Sequence, residues 1–182
     1  DCTDGFGLIK DLEENLKVSL KDKKILLLGA GGAARGIIPS IIEKDPASLK
    51  ITNRTESKAL SLKEDLEGKV DLKGKNLIFE AGGLTDDFLL ADSYDLVINS
   101  TSVSTQAGES IGLPKALFSG TKLAYDLYYS AEKTVFMQEA LENGAEKVSD
   151  GWGMLVEQGA ESFRLWTNLI PDTSRLLDKP ID

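Results

Sequence analysis

The sequence predicts an α/β fold, a doubly wound parallel sheet with helices on both faces. Apolar runs of strand length alternate with stretches of helix length, an order that calls for crossover connections and parallel strands. The first run, Ile25-Leu26-Leu27-Leu28, empties directly into Gly29-Ala30-Gly31-Gly32-Ala33-Ala34. The later runs also end in Gly, Asn, Ser, Thr or Tyr, as expected where strand carboxyl ends open onto a ligand. A single Rossmann-type domain over residues 1–182 is therefore expected, with 1–20 as an entering helix and 171–182 as a tail.

The elements follow in order. From Gly5 to about Val18, Leu8, Leu12 and Leu16 mark a helical stripe, with Thr3 or Asp4 as its cap. Lys24 to Leu28 is the first strand, and a helix runs from about Gly32 to Lys44 with a kink expected at Pro39, which lacks a donor. Leu49 to Asn53 is the second strand, and Glu56 to about Leu66 the next helix. Asn76 to Glu80 reads as a short strand that Gly82-Gly83 ends. Asp95-Leu96-Val97-Ile98-Asn99 and Leu123-Ala124-Tyr125-Asp126 are buried strands. A helix from Lys133 to Asn143 stops at Gly144, and Glu146 to Val148 is a last short strand. The final helix, Met154 to about Asn168, carries Leu155, Phe163 and Trp166 on one side.

A strand that runs into glycines and then a helix brings free backbone N–H groups and a positive helix end to a pyrophosphate. Gly29 permits the tight turn, Gly31 leaves room for the diphosphate, and Ala34 stands where a third glycine often packs helix on strand. Ala30, Gly32 and Ala33 complete the loop. An NAD-binding domain places an acidic residue on the ribose 2′-hydroxyl roughly 20 residues on. This chain has Asn53-Arg54-Thr55 there, with Lys58 one turn into the next helix. An acid repels a 2′-phosphate and a guanidinium grips it, so the predicted cofactor is NADP(H). A plain polar turn with Thr55 as helix cap is the alternative. The strand-end rule gathers Gly29–Ala34, Asn53–Lys58, Asn99–Ser102 (with Thr101), Asp126–Tyr129 and Asp150–Met154 onto one edge.

Composition narrows the partners. With 41% hydrophobic and 28% charged residues the chain is ordinary globular protein, and a formal charge of −9 argues against nucleic acid or an anionic membrane. One cysteine, Cys2, excludes an internal disulfide and suits a reducing cytoplasm, the expected location. The absence of histidine removes Ser-His-Asp and Cys-His catalysis and histidine metal sites, and no metal is expected. Acid–base chemistry falls to carboxylates, lysines or tyrosines, and the lysines are read as lying on surface helices or loops. The opening Asp-Cys-Thr-Asp-Gly reads as the start of a piece cut from a longer protein.

Thr3-Asp4-Gly5, GAGGAA at 29–34, NRTESKA at 53–59, INSTS at 98–102, YDLYY at 125–129 and DGWGMLVEQGA at 150–160 together resemble the cofactor domain of the shikimate dehydrogenases. The resemblance implies reversible NADPH-dependent reduction of 3-dehydroshikimate to shikimate, in aromatic amino-acid and chorismate biosynthesis. It implies a catalytic lysine–aspartate pair, with the aspartate at Asp4. The lysine, and a serine pair for the substrate carboxylate, would belong to an N-terminal lobe that this sequence does not contain and that residues 1–20 would link. It also implies that Asp4, Tyr129 and Gln158 bind substrate, and that Leu127 and Gly151 touch the nicotinamide side of the cofactor, with Met154 and Leu155 flanking it. The alternatives are a helix cap for Asp4, core packing for Tyr129 and a solvated helix face for Gln158.

The sequence departs from the pattern at Cys2, where asparagine is frequent beside the aspartate, at Lys58, where an arginine is usual, and at Val135, where proline is usual. Lysine is a point charge rather than a fork, which lowers the expected grip on phosphate. On this reading the fragment alone is inactive, its partners are small molecules, and a homodimer is compatible. A non-catalytic NADP-binding module and a quinate/shikimate relative are the competing functions.

Overall fold

The computed structural model describes residues 2–177 apart from 71, 73 and 107, so the last residues of the expected tail lie outside the described ones. Six parallel strands form one sheet: β1 (Lys24–Leu28), β2 (Ser48–Asn53), β3 (Ile78–Gly83), β4 (Leu96–Asn99), β5 (Leu123–Asp126) and β6 (Val148–Ser149). Their order is β3-β2-β1-β4-β5-β6. The chain reverses direction across the sheet between β1 and β4, where Leu28 is in register with Thr52 on one side and Asn99 on the other. That reversal is the point at which ligands bind in open α/β sheets.

The strands are apolar in both phases because both faces are covered. Ile25 and Leu27, Leu49 and Ile51, Leu96 and Ile98, and Leu123 and Tyr125 face one core. That core is closed by α1 (Asp4–Lys10), α2 (Gly32–Glu43), α3 (Glu56–Glu67) and the start of α6 (Trp152–Thr167). Leu26, Leu28, Val97 and Ala124 face the other, under α4 (Asp86–Leu89), α5 (Val135–Glu142) and a single 3₁₀ turn at Lys115–Phe118. Each fully buried leucine or isoleucine contributes about 1.5–3 kcal/mol relative to exposure. A short α7 (Ser174–Leu177) follows α6. Among the described residues, no helix is long and apolar enough to cross a membrane.

Several expectations are corrected. The entering helix is not one α-helix to Val18: it ends at Lys10 and continues as a π-helical turn over Asp11–Asn15, braced by Asn15 Nδ2 donating to Asp11 Oδ1 at 2.9 Å. Asp4 is the first helical residue rather than a cap, and the side chain of Thr3, the N-cap, meets Ser162 Oγ at 3.1 Å instead of capping. Thr55 sits at the N-cap of α3 but likewise makes no side-chain cap bond. Gly82 and Gly83 lie inside β3, not after it, since they pair with Thr52 and Asn53 of β2; a Cβ at Gly82 would sit 2.9 Å from the Phe88 ring. On α6, the side that carries Leu155, Phe163 and Trp166 is open to solvent toward its end, with Phe163 42% exposed. Trp166 is 83% exposed, whereas Met154 and Glu157 are buried.

The lysines are not all on surface helices or loops. Lys50 is buried in β2, ion-paired to Asp92 Oδ2 at 2.7 Å and Glu80 Oε2 at 3.2 Å, with the Phe88 ring 5.1 Å away. Burial acts to lower its pKa, but hydrogen bonds to Asp92 and Glu80 outweigh it, so the ammonium is held charged and its pKa is raised.

Candidate active-site edge

The glycine loop takes the shape its residues allow. Gly29 has φ +105°, and a Cβ there would sit 2.7 Å from Ser100 Oγ, so both backbone sign and space demand glycine. Gly31 and Gly32 differ: a Cβ at either would meet nothing within 4 Å, so neither is needed for packing. They leave open the mouth of a cleft of about 590 Å³. Its walls include Gly29, Ala30, Gly31, Gly32, Asn53, Arg54, Thr55, Lys58, Thr101 and Ser102, which the sequence had assigned to one ligand. The N-terminus of α2 opens onto it. Arg54 and Lys58 are exposed, and among the described residues neither is in an ion pair; Arg35, by contrast, is tied to Asp65 at 2.8 Å. Free amides, a positive helix end and two free cations without an acid at the end of β2 fit a diphosphate carrying one further phosphate.

Sequence reasoning missed part of this wall: Leu84, Val103, Gln106, Glu109, Ser110 and Ile111 also line the cleft. Leu84 was within reach, since it directly follows the last residue of β3. The loop after β4 carries no local pattern that marks it.

That loop is held from beneath. Asn99 Oδ1 accepts from Thr101 N at 3.0 Å and from Thr101 Oγ1 at 2.7 Å, while Asn99 Nδ2 donates to Asp126 Oδ1 at 3.1 Å and Ser104 Oγ at 3.0 Å. Burial pushes the Asp126 carboxyl up, against hydrogen bonds from Ser104, Thr134, Tyr128 and Asn99 that pull it down, and the net shift is upward.

The remaining assigned residues do not line the cleft, though Leu127, Tyr129 and Gly151 follow the carboxyl ends of β5 and β6. Leu127 and Gly151 are in close approach: a Cβ at Gly151 would fall 2.1 Å from Leu127 O. Met154 is buried, Leu155 is half-buried, and Ala33 is exposed on α2. Tyr129 is not a core residue; it is 46% exposed, with its ring centroid 6.1 Å from that of Tyr128 and 5.8 Å from that of Trp152. Trp152 Nε1 donates to Leu176 O at 2.7 Å. Asp4, the first residue of α1, and Gln158, in α6, are both half-buried: a Cβ at Gly36 of α2 would meet Cys2 Sγ at 3.1 Å and Asp4 Oδ2 at 3.2 Å, and one at Gly7 of α1 would meet Gln158 Cβ at 2.8 Å.

Glycines thus let α1 press between α2 and α6. A Cβ at Gly5 would strike Ser40, and one at Gly153 would fall 2.0 Å from Asp11 Oδ1. Beneath them Tyr125 Oη donates to Asp11 Oδ2 at 2.7 Å, and Lys10 Nζ pairs with the buried Glu157 at 2.7 Å. Burial pushes the Asp11 carboxyl up; hydrogen bonds from Tyr125 and Asn15 pull it down, and Glu157 and Asp150 add repulsion, leaving it raised.

The strand order, the reversal at β1/β4 and a cleft at that reversal define a Rossmann-type domain. Residues 11–109 match the family described as shikimate / quinate 5-dehydrogenase, and residues 151–177 the shikimate 5′-dehydrogenase C-terminal domain. A shikimate dehydrogenase (NADP(+)) of Nitrosospira multiformis is 45% identical over 97% of this chain and 61% of its own length. That of Dechloromonas aromatica is 44% identical over the same shares. Among solved structures, an Ael1 enzyme from Pseudomonas putida superposes with a TM-score of 0.84 at 38% identity, covering 99% of this chain and 64% of that one. Shikimate 5-dehydrogenase from Thermus thermophilus, in complex with NADP(H) and shikimate, gives 0.75 at 33% identity, covering 94% and 59%. The chain belongs to the shikimate/quinate 5-dehydrogenase family. It spans about three-fifths of the length of these curated relatives, 61% in each case.

Proposed function

We propose that the chain is the cofactor-binding part of an NADP-dependent shikimate dehydrogenase, which interconverts 3-dehydroshikimate and shikimate. The observation that carries the proposal is the pair of free cations, Arg54 and Lys58, on a glycine-mouthed cleft with no acid at the end of β2. In this reading the backbone of Gly29 to Gly32 and the N-terminus of α2 hold the diphosphate, aided by Ala33. Asn53, Arg54, Thr55 and Lys58 hold the ribose and its 2′-phosphate, and Thr101 and Ser102, which follow β4 on the other side of β1, wall the cleft beyond the diphosphate, toward the nicotinamide. Leu127, Gly151, Met154 and Leu155 bound the nicotinamide end. Bound there, the nicotinamide supplies the two-electron exchange with the substrate's carbinol carbon.

The chain's own side chains handle the substrate hydroxyls. Asp4 accepts a hydrogen bond from the reacting hydroxyl and orients it toward a base, the family's lysine. Tyr129 and Gln158 bind further substrate oxygens from the same side. Because Tyr129 is open to solvent and the relatives are longer, residues 1–182 alone are proposed to bind cofactor without turning substrate over.

Calorimetric titration of the chain with NADP and NAD tests the reading. NADP should bind more tightly, and Arg54→Ala should weaken NADP by about 1.5–3 kcal/mol, the scale of a charge-assisted hydrogen bond, while leaving NAD nearly unchanged. Equal losses for both would refute the assignment of Arg54. In a full-length chain, turnover with shikimate against quinate separates the two substrates that the family description names.

A further inference from the structure

Beneath the cleft lies a buried carboxylate that no ligand can reach. Asp126, at the carboxyl end of β5, has 0% exposure, and all of its hydrogen bonds point to loops of the edge. Oδ1 accepts from Asn99 Nδ2 at 3.1 Å and from Tyr128 N at 3.2 Å; Oδ2 accepts from Ser104 Oγ at 2.6 Å and from Thr134 Oγ1 at 2.7 Å. The four donors belong to separate pieces of structure. Asn99 ends β4 and, through its other amide atom, fixes Thr101. Ser104 lies in the turn that follows. Tyr128 precedes Tyr129, and Thr134 caps α5, accepting from Met137 N at 3.3 Å.

We infer that Asp126 is a positioning residue for the nicotinamide end of the cofactor site, holding the 100–104 wall and the 127–129 turn in one fixed relation. The inference rests on the reading of the cleft as an NADP site. A carboxylate is suited to the task because it offers acceptor positions only, so every donor converging on it is satisfied at once. A buried charge without a cation persists only when donors surround it, which makes the arrangement all-or-none. The Arg54 turn takes no part in this network. Asp126 therefore governs one end of the ligand and leaves the other alone.

The test compares two probes on the 182-residue chain: NADP, which spans the cleft, and adenosine 2′,5′-bisphosphate, which reaches only the Arg54–Lys58 end. Asp126→Asn keeps the size but replaces the Oδ2 acceptor with an amide, so the Ser104 and Thr134 hydroxyls must turn from donating to accepting and lose their bonds to a charged group. NADP affinity should fall about tenfold, the scale of one disrupted buried hydrogen bond to a charged group, with the bisphosphate unchanged within about twofold. Ser104→Ala, which removes one donor and leaves the carboxylate in place, should show the same split at about threefold and serves if Asp126→Asn does not fold. A loss of overall stability alone would move both probes together or neither. Equal losses for both probes, or NADP affinity untouched in a folded variant, overturns the inference. A wild-type chain that binds neither probe overturns the reading of the cleft, and the inference with it.

Discussion

The cleft at the β1/β4 reversal and the contact where α1 meets α6 over one face of the sheet are built in opposite ways. The cleft is made of contiguous turns: 29–32 after β1, 53–58 after β2 and 100–106 after β4 supply most of its wall. A Cβ added at Gly31 or Gly32 would meet nothing within 4 Å, and the cleft's two cations are in no ion pair among the described residues. The α1/α6 face is crowded, with would-be Cβ atoms at Gly7 and Gly153 both falling under 3 Å from a neighbour. Its polar groups, Asp11, Tyr125, Glu157 and Lys10, are spent on one another. Glycine thus serves two ends in one molecule, keeping space empty in the first region and letting helices close in the second. Substitutions should therefore cost binding in one region and stability in the other.

The largest expected effect breaks the cleft without touching the fold. Gly31→Val should abolish binding of both NADP and NAD in a thermal-shift titration while the free protein melts near the wild-type temperature, since the backbone there is extended and the added side chain points into open space. Normal NADP binding would show that the mouth is not a phosphate cradle. Next in size is Asp4, the first residue of α1 and the group assigned to the proton of the reacting hydroxyl. In a chain of the relatives' full length, Asp4→Asn should lower kcat by about 10²–10⁴-fold, the usual contribution of an acid–base group, with little change in NADP affinity. A rate within a few-fold of wild type would reduce Asp4 to a helix residue.

Gly153→Ala reverses the expectation for Gly31. Overpacking against Asp11 should destabilise the fold by about 1–3 kcal/mol, read from chemical denaturation, and leave cofactor affinity of the folded protein nearly intact. A stable Gly153→Ala protein would mean that α1 is free to shift. The smallest effect is a pH dependence. The folded state raises the Asp11 pKa above its unfolded value, so this group's contribution is fully present below the unfolded pKa and is lost as pH rises through the folded one. Asp11→Asn should therefore gain stability relative to wild type between acid and neutral pH. A difference that stays flat with pH, or runs the other way, would show that the Tyr125 and Asn15 bonds outweigh burial.

The same contrast explains what was legible beforehand. KILLL, LVIN and LAYD announce buried strands because both of their faces are apolar, and the NRT turn and glycine loop announce a ligand because their chemistry is local. Lys50 interrupts β2 with a charge whose partners, Glu80 and Asp92, come from later in the chain, and nothing near residue 50 signals them. The Tyr125–Asp11 bond joins residues 114 apart and the Asn99–Asp126 bond joins residues 27 apart, so neither leaves a mark on any short window. The π-helical turn escaped for the same reason, since Asp11 is drawn inward by a tyrosine of the central sheet. On α6, the spacing of Leu155, Phe163 and Trp166 marks one side of the helix, but only the first turns, at Met154 and Glu157, are buried.

The two tryptophans of the chain sit at opposite ends of that helix, which makes its intrinsic fluorescence divisible. Trp166 is 83% exposed and open to collision with a dissolved quencher such as iodide, whereas Trp152 is half-buried between Tyr129 and the α7 carbonyl that accepts its indole hydrogen. With iodide present the surviving emission comes mainly from Trp152, at the rim assigned to substrate. An optical signal of ligand arrival is therefore built into the chain without any added label.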